Sequence, residues 1–251
     1  MELSLDGSVV LVTGGVRGVG LGITRAFLSA GAVVVTCARR PADVPGAVFM
    51  PCDVRDFEQV SSLVSSVVDR FGRLDVVVNN AGGAPYALAD KASPRFHQKI
   101  VELNLLAPLL VSQAAYGVMK DSGGSIVMVS SVSGRRPSPG TAAYGAAKAG
   151  LDNLTASLAV EWAPRVRVNA LAVGMVRTEQ SHLHYGSAEG IAAVERTVPL
   201  GRLATPDEIG ACAVFLASPL ASYVTGSTLV VHGGGEVPPF LAAADTDGGS
   251  S

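Results

Sequence analysis

Apolar residues along this chain fall in short runs, several of them unbroken rather than alternating with polar residues. The runs are Val9–Val12, Val33–Thr36, Val48–Met50, Asp75–Val78, Ser125–Ser130, Val166–Leu171 and Thr228–Val231. Several are continuous Val, Ile and Leu, the habit of strands buried on both faces, as in parallel sheets. Longer stretches of helical pattern lie between them, near Gly20–Ala30, Phe57–Phe71, Pro94–Lys120, Ala142–Trp162 and Pro206–Ala217. Strand–helix–strand alternation predicts an α/β fold, a doubly wound, seven-stranded parallel sheet flanked by helices. No linker or change of composition marks a second domain, so residues 1–236 are expected to form one unit. Residues 179–199 interrupt the alternation and are expected to be a helical lid. Residues 237–251, rich in Pro, Ala, Gly and Ser, are expected to be a flexible tail.

Composition narrows the function classes. Of 251 residues, 48% are hydrophobic and 16% charged, and Gly (29) and Pro (14) are frequent. That excludes disorder of the whole chain, which needs low hydrophobicity and high charge, and a coiled coil, which needs charged heptads. A net charge of -2 offers no basic field for a phosphate backbone, so nucleic acid is not an expected partner. No unbroken apolar run reaches the roughly 18 residues of a membrane span. Met1–Asp6 carry two acids and no Lys or Arg, unlike a secretion signal. The three cysteines, Cys37, Cys52 and Cys212, form no C-x-x-C pair, which argues against a disulfide framework or a zinc site. A reduced, cytoplasmic protein is expected.

The first run, Val9–Val12, leads directly into Thr13-Gly14-Gly15-Val16-Arg17-Gly18-Val19-Gly20, and a helix follows. A glycine turn between a buried strand and a helix is a dinucleotide site by mechanism. Gly14 permits the tight turn, Gly18 lets backbone approach a pyrophosphate, and Gly20 lets the helix pack close to the sheet. The helix start offers free N–H groups and partial positive charge to the phosphate.

The spacing T-G-x-x-x-G-x-G is joined by further motifs in order. Asn79-Asn80-Ala81-Gly82 follows the fourth strand, Asn104 lies in the next helix, Ser131 closes the fifth strand, and Tyr144-x-x-x-Lys148 opens the helix after it. Together these resemble the short-chain dehydrogenase/reductase family over about residues 5–236. The resemblance implies a Rossmann fold and an NAD(P)-dependent oxidoreductase acting on a CH–OH group. It implies cofactor contacts at Gly14, Val16, Arg17, Gly18, Val19, Asn80, Ala81, Gly82, Tyr144, Lys148, Gly174, Val176 and Thr178, with Asp53 and Val54 beside the adenine. In the family an acid at the end of the second strand binds the adenosine ribose and repels a 2′-phosphate. Here that position is Ala38, followed by Arg39 and Arg40, and Arg17 stands in the glycine loop. Guanidiniums beside a dianionic phosphate gain charge-assisted hydrogen bonds, so NADP(H) is favoured over NAD(H).

Tyr144 and Lys148 are four apart and share a helix face. A phenol of pKa about 10 is a poor base at neutral pH. An ammonium one turn away, with a cationic nicotinamide, would stabilise the phenolate. Lowering the pKa by ~3 units needs ~4 kcal/mol. The resemblance implies that Tyr144 exchanges the proton of the alcohol or carbonyl, that Ser131 holds the substrate oxygen, and that Asn104 holds a water relaying protons from Lys148. Ser130 and Ser133 are rivals for the serine role, and spacing favours Ser131.

Two positions depart from the family pattern: Val173 replaces the proline before Gly174, and His232 replaces an aspartate before the last glycines. His182 and His184 lack companions for a metal site, so no metal is expected. The expected activity is hydride transfer between nicotinamide and a secondary alcohol or ketone. One alternative, which the resemblance implies, is a 3-oxoacyl-thioester reductase; Arg135 and Arg136 are expected in a solvated loop, or in contact with an acidic substrate arm such as the phosphopantetheine of an acyl carrier protein or coenzyme A. Another is a non-catalytic nucleotide sensor. The resemblance also implies a homo-oligomer, tetramer or dimer, with the Ala-rich Ala142–Trp162 helix in an interface.

Overall fold

A computed structural model describes residues 4–240. The seven strands are β1 (Val9–Thr13), β2 (Val33–Ala38), β3 (Val48–Pro51), β4 (Val76–Asn79), β5 (Gly124–Ser131), β6 (Val166–Val173) and β7 (Thr228–Val231). All pair in parallel, in the order β3-β2-β1-β4-β5-β6-β7. The unbroken runs have the expected cause. In β1, Val9 and Leu11 face one core layer while Val10 and Val12 face the other.

Helices α1 (Gly18–Ser29) and α8 (Pro206–Ala217) cover one face; α2 (Phe57–Phe71), α4 (Ala107–Met119) and α5 (Ala142–Trp162) cover the other. The α1–α8 contact is close because Gly22 and Gly210 meet there: a Cβ on Gly210 would lie 2.6 Å from the Gly22 carbonyl oxygen. Local chemistry starts the helices where they begin. Asp56 caps α2. Ser93 caps α3 (Pro94–Val101). Thr205 and Glu208 form a reciprocal capping box at α8.

The single helix expected over Pro94–Lys120 is instead α3, a π-helical turn (Glu102–Leu106) and α4. Pro108 supplies the reason. It has no N–H for the Asn104 carbonyl, and its ring crowds that carbonyl in a regular helix. The whole run Pro94–Met119 is apolar and long enough to cross a membrane by length and composition. Here its Ile100, Ala107, Val111, Ala115 and Met119 are buried in the protein.

The segment expected as a lid carries two short helices, α6 (Ser181–Tyr185) and α7 (Ala188–Glu195), joined through Gly186 at φ 76°. Arg177 ties it down through an ion pair to Glu195 at 2.7 Å. Of the expected flexible tail, Val237 donates its N–H to the Thr197 carbonyl; residues 241–251 lie outside the described residues.

The order of strands sets where a ligand fits. From β1 the chain winds outward to β2 and β3, then returns to β4 on the other side of β1. The loops after β1 and β4 therefore diverge, leaving a crevice at the carboxyl ends of the strands.

Candidate active site

The loop after β1 is a cradle of backbone. Gly14 and Gly18 adopt φ of 63° and 51°, which side-chain-bearing residues rarely do. Arg17 is the N-cap of α1 and makes no side-chain capping bond, so no side chain of the loop fills the helix start. A Cβ on Gly20 would collide with the Gly14 carbonyl and the Asn80 amide. Gly20 thus serves loop closure, while Gly22 makes room for Pro206 of α8. Asn80 donates from Nδ2 to the Thr13 and Gly14 carbonyls, both at 3.0 Å. Buried Thr13 accepts at Oγ1 from the N–H groups of Asn80 and Ala81, at 3.0 and 3.1 Å. The motifs after β1 and β4 are in this way bonded to each other. Thr178 closes over them, with Cγ2 3.6 Å from where a Gly18 Cβ would stand. Gly174 and Val176 sit on the same side: Gly174 N–H bonds the Val231 carbonyl, and Val176 pairs with Ala204. A tight backbone cradle at a helix start fits a pyrophosphate.

At the far end of β2, Arg39 and Arg40 are exposed, as is Arg17. None of the three forms an ion pair with another described residue. Asp53 is held by both guanidinium arms of Arg55, at 2.9 and 2.6 Å. That pairing, more than the nearby charge of Arg39, holds its carboxyl below the usual range. The Val54 side chain belongs to the core.

The other motif residues converge where β4, β5 and α5 meet. Lys148 is 3% exposed and donates from Nζ to the Val129 carbonyl at 2.7 Å. Its Nζ lies 5.5 Å from the centre of the Tyr144 ring. A Cβ on Gly82 would be 2.7 Å from Asn104 Oδ1 and 3.6 Å from Lys148 Nζ, so these three touch one small volume. The Asn104 amide donates to the Gly83 and Ile100 carbonyls and accepts from Gly83 N–H. Its side chain is therefore committed to fixing the loop after β4. Pro108 offers no N–H to the Asn104 main-chain carbonyl. Ser130 is buried and donates to the Lys148 carbonyl at 3.3 Å. Ser131 accepts from Ser133 N–H at 3.2 Å, and its hydroxyl faces the Tyr144 phenol.

The electrostatics differ from the sequence expectation. Burial raises the Tyr144 phenol above its ordinary pKa, and the Ser131 hydroxyl only partly opposes that. Burial also lowers Lys148 to about 8, while Asp152 on the next turn pulls the other way. The low-dielectric pocket weakens both charged forms before any cofactor charge is added. With no cationic ring beside it, the chain keeps this phenol protonated.

Asp152, Glu236 and Tyr185 were not singled out by sequence. Asp152 accepts from Arg135 Nε at 3.1 Å, and its other oxygen is buried without a partner. Its i+4 spacing from Lys148 was a readable signal. Arg136 pairs with Glu236 at 2.6 Å across 100 residues of sequence, for which no local signal exists. His182 and His184 lie on the exposed side of α6. Among the described residues, no three His, Cys, Asp or Glu side chains gather as a metal site would require.

Comparison with known proteins adds independent findings. A family model described as enoyl-(acyl carrier protein) reductase matches residues 14–236. L-fucose dehydrogenase of Bos taurus is 38% identical over 244 residues, covering 92% of this chain and 90% of that protein. Galactitol 2-dehydrogenase of Agrobacterium fabrum is 34% identical over 252 residues, covering 92% of this chain and 98% of the relative. The ligand-free structure of Thermoplasma acidophilum aldohexose dehydrogenase superposes with a TM-score of 0.89 at 29% identity, covering 99% of this chain and 98% of that one.

Proposed function

The chain belongs to the short-chain dehydrogenase/reductase family, enzymes that use a nicotinamide cofactor on CH–OH donors, and from that premise we propose an NADP(H)-dependent oxidoreductase of secondary alcohols and ketones. The carrying observation is the convergence of Ser131, Tyr144, Lys148, Asn104 and Gly82 beside the glycine cradle. Residues 1–236 act as one cofactor-binding unit, and 179–199 close over the substrate.

Gly14, Val16, Gly18 and Val19 hold the pyrophosphate on backbone, with Thr178 above them. Asn80, Ala81 and Gly82 flank the adenosine ribose, and Asp53 and the Val54 backbone flank the adenine. Arg17, Arg39 and Arg40 bind the 2′-phosphate; their lack of acidic partners among the described residues supports that preference. Gly174 and Val176 support the nicotinamide end. When bound, the nicotinamide supplies or accepts the hydride.

The protein positions the substrate oxygen between the Ser131 hydroxyl and the Tyr144 phenol. In carbonyl reduction, Tyr144 gives its proton to that oxygen. The raised phenol pKa suits this direction, since the proton is present at neutral pH. In alcohol oxidation Tyr144 takes the proton back, and Lys148, charged below about pH 8, stabilises the phenolate. A water on the Asn104 carbonyl returns the proton to solvent through Lys148.

The thioester-reductase alternative has less support. Arg135 and Arg136, the cations available for a phosphopantetheine arm, are already paired with Asp152 and Glu236. A pure nucleotide sensor leaves the converged Ser131, Tyr144 and Lys148 without a task. We assign the protein to the cytoplasm, where its three free thiols stay reduced. We assign it to a homo-oligomer, tetramer or dimer, because the exposed Ala142, Ala146 and Ala149 of α5 permit close approach of a second helix.

The test is a spectrophotometric screen of ketones and secondary alcohols with both nicotinamides. Turnover with NADP(H) above NAD(H) is expected. Cofactor binding with no turnover of any carbonyl or alcohol would overturn the reading in favour of the sensor.

A further inference from the structure

Beyond Ser131 the surface opens into a cleft of about 370 Å³. Val132, the residue after Ser131, and Gly174, beside the proposed nicotinamide position, line it. Its polar lining comes from distant segments: Arg135 and Arg136 of the loop after β5, and His232 and Glu236 after β7. The structure assigns this cavity to a polyhydroxylated substrate, a sugar or sugar alcohol, whose adjacent hydroxyls meet the paired guanidinium and carboxylate of Arg136 and Glu236. The assignment deepens the oxidoreductase reading and rests on it for the reacting end of the substrate.

Three observations support it. First, the charges are balanced. Arg136 Nη2 and Glu236 Oε1 are 2.6 Å apart, and Arg135 Nε is 3.1 Å from Asp152 Oδ2. An anionic substrate would meet guanidiniums that are already neutralised, and the Glu236 carboxylate beside them. A purely apolar substrate would cover part of this half-exposed ion pair and offer it no hydrogen bond in exchange. A vicinal diol suits the pair, because each hydroxyl both donates and accepts: it accepts from a guanidinium N–H and donates to a carboxylate oxygen.

Second, the pair is held in place. Arg136 Nη1 also donates to the Pro137 carbonyl at 3.2 Å. Tyr185 of α6 lies close enough to both Arg136 and Glu236 for their charges to act on its phenol. Tyr185 thus brings the segment 179–199 near the pair. Third, Val132, Met175 and Val230 give the same cavity an apolar wall. A carbohydrate has that division, with C–H groups on one face and hydroxyls at its edge. A few placed polar groups in a largely apolar pocket are what fix the orientation of a small ligand.

The experiment uses the full chain with NADP⁺, a panel of hexitols and aldohexoses, and cyclohexanol as a secondary alcohol without further hydroxyls. Wild type is expected to oxidise at least one polyol. Arg136→Gln and Glu236→Gln should each lower the ratio of kcat/KM for that polyol over cyclohexanol by roughly 10-fold or more, the range for one charged hydrogen bond. The loss should fall in KM. Calorimetric titration of each polyol into the protein with NADP⁺ should show the same weakening, whether or not the polyol is turned over. Variants that match wild type in both measurements would overturn the subsite. So would a wild type that oxidises cyclohexanol but neither binds nor oxidises any polyol. Polyol binding that depends on Arg136 and Glu236, without turnover of any alcohol or ketone, would sustain the subsite and refute the oxidoreductase reading. Neither binding nor turnover would refute both.

Discussion

Lys148→Met is expected to destroy turnover and yet stabilise the free protein at neutral pH. The ammonium is buried, and its one direct hydrogen bond is to the Val129 carbonyl. Burial lowers its pKa from the ordinary 10.5 to about 8. Between those values the unfolded chain binds the proton and the folded chain does not, so stability rises with pH across that window. Below about pH 8 the full cost of a buried charge is present. A fall from 10.5 to about 8 amounts to about 3 kcal/mol at roughly 1.4 kcal/mol per tenfold. Methionine has a similar apolar stem and no charge. It forfeits the hydrogen bond to Val129, worth about 1 kcal/mol. The net gain at pH 7 is therefore about 2 kcal/mol, shrinking to nothing or a slight loss as pH approaches 10. Urea unfolding at fixed protein and salt concentrations measures it. The single tryptophan, Trp162, is buried and stacked on Tyr116, and its fluorescence reports the transition. A stability difference that is the same at pH 7 and pH 10, or that grows with pH, would refute the reasoning.

Three further outcomes are expected. Arg39→Ala should weaken NADPH binding by roughly 10-fold or more and NADH binding far less, because one charged hydrogen bond is lost only with the 2′-phosphate; equal effects on the two, by fluorescence titration, would remove the specificity argument. Gly20→Ala should cost about 1–3 kcal/mol of stability and most of the cofactor affinity, since its methyl would push into the Gly14 carbonyl and the Asn80 amide; wild-type values for both in unfolding and binding assays would contradict the close approach. Carbonyl reduction should decline above about pH 8 as Lys148 loses its charge; a profile level to pH 10 would show that the ammonium takes no part.

The strands were legible because parallel strands buried on both faces hold few polar positions, which leaves unbroken runs such as Val76–Val78 and Ile126–Val129. The glycine loop was legible because positive φ at Gly14 and Gly18 leaves little choice of residue. Less legible was the break at Glu102–Leu106, where apolar periodicity runs on and only Pro108 hints at a wider turn. The direction of the Tyr144 shift was missed for a different reason. Spacing places Lys148 near the phenol but does not say how deeply both are buried, and burial decides the sign. The Arg136–Glu236 pair joins segments 100 residues apart, so it emerges only when β5 and β7 take their places in one sheet.

Tyr144→Phe tests the central claim most directly, with turnover and NADPH affinity measured on the same preparation. Removing one hydroxyl leaves the ring, the cradle and Lys148 in place. The expected fall in kcat/KM is about 100- to 10,000-fold, the range for a lost proton donor, with the NADPH dissociation constant changed by no more than about threefold. Retained turnover, or affinity lost in step with turnover, would contradict it.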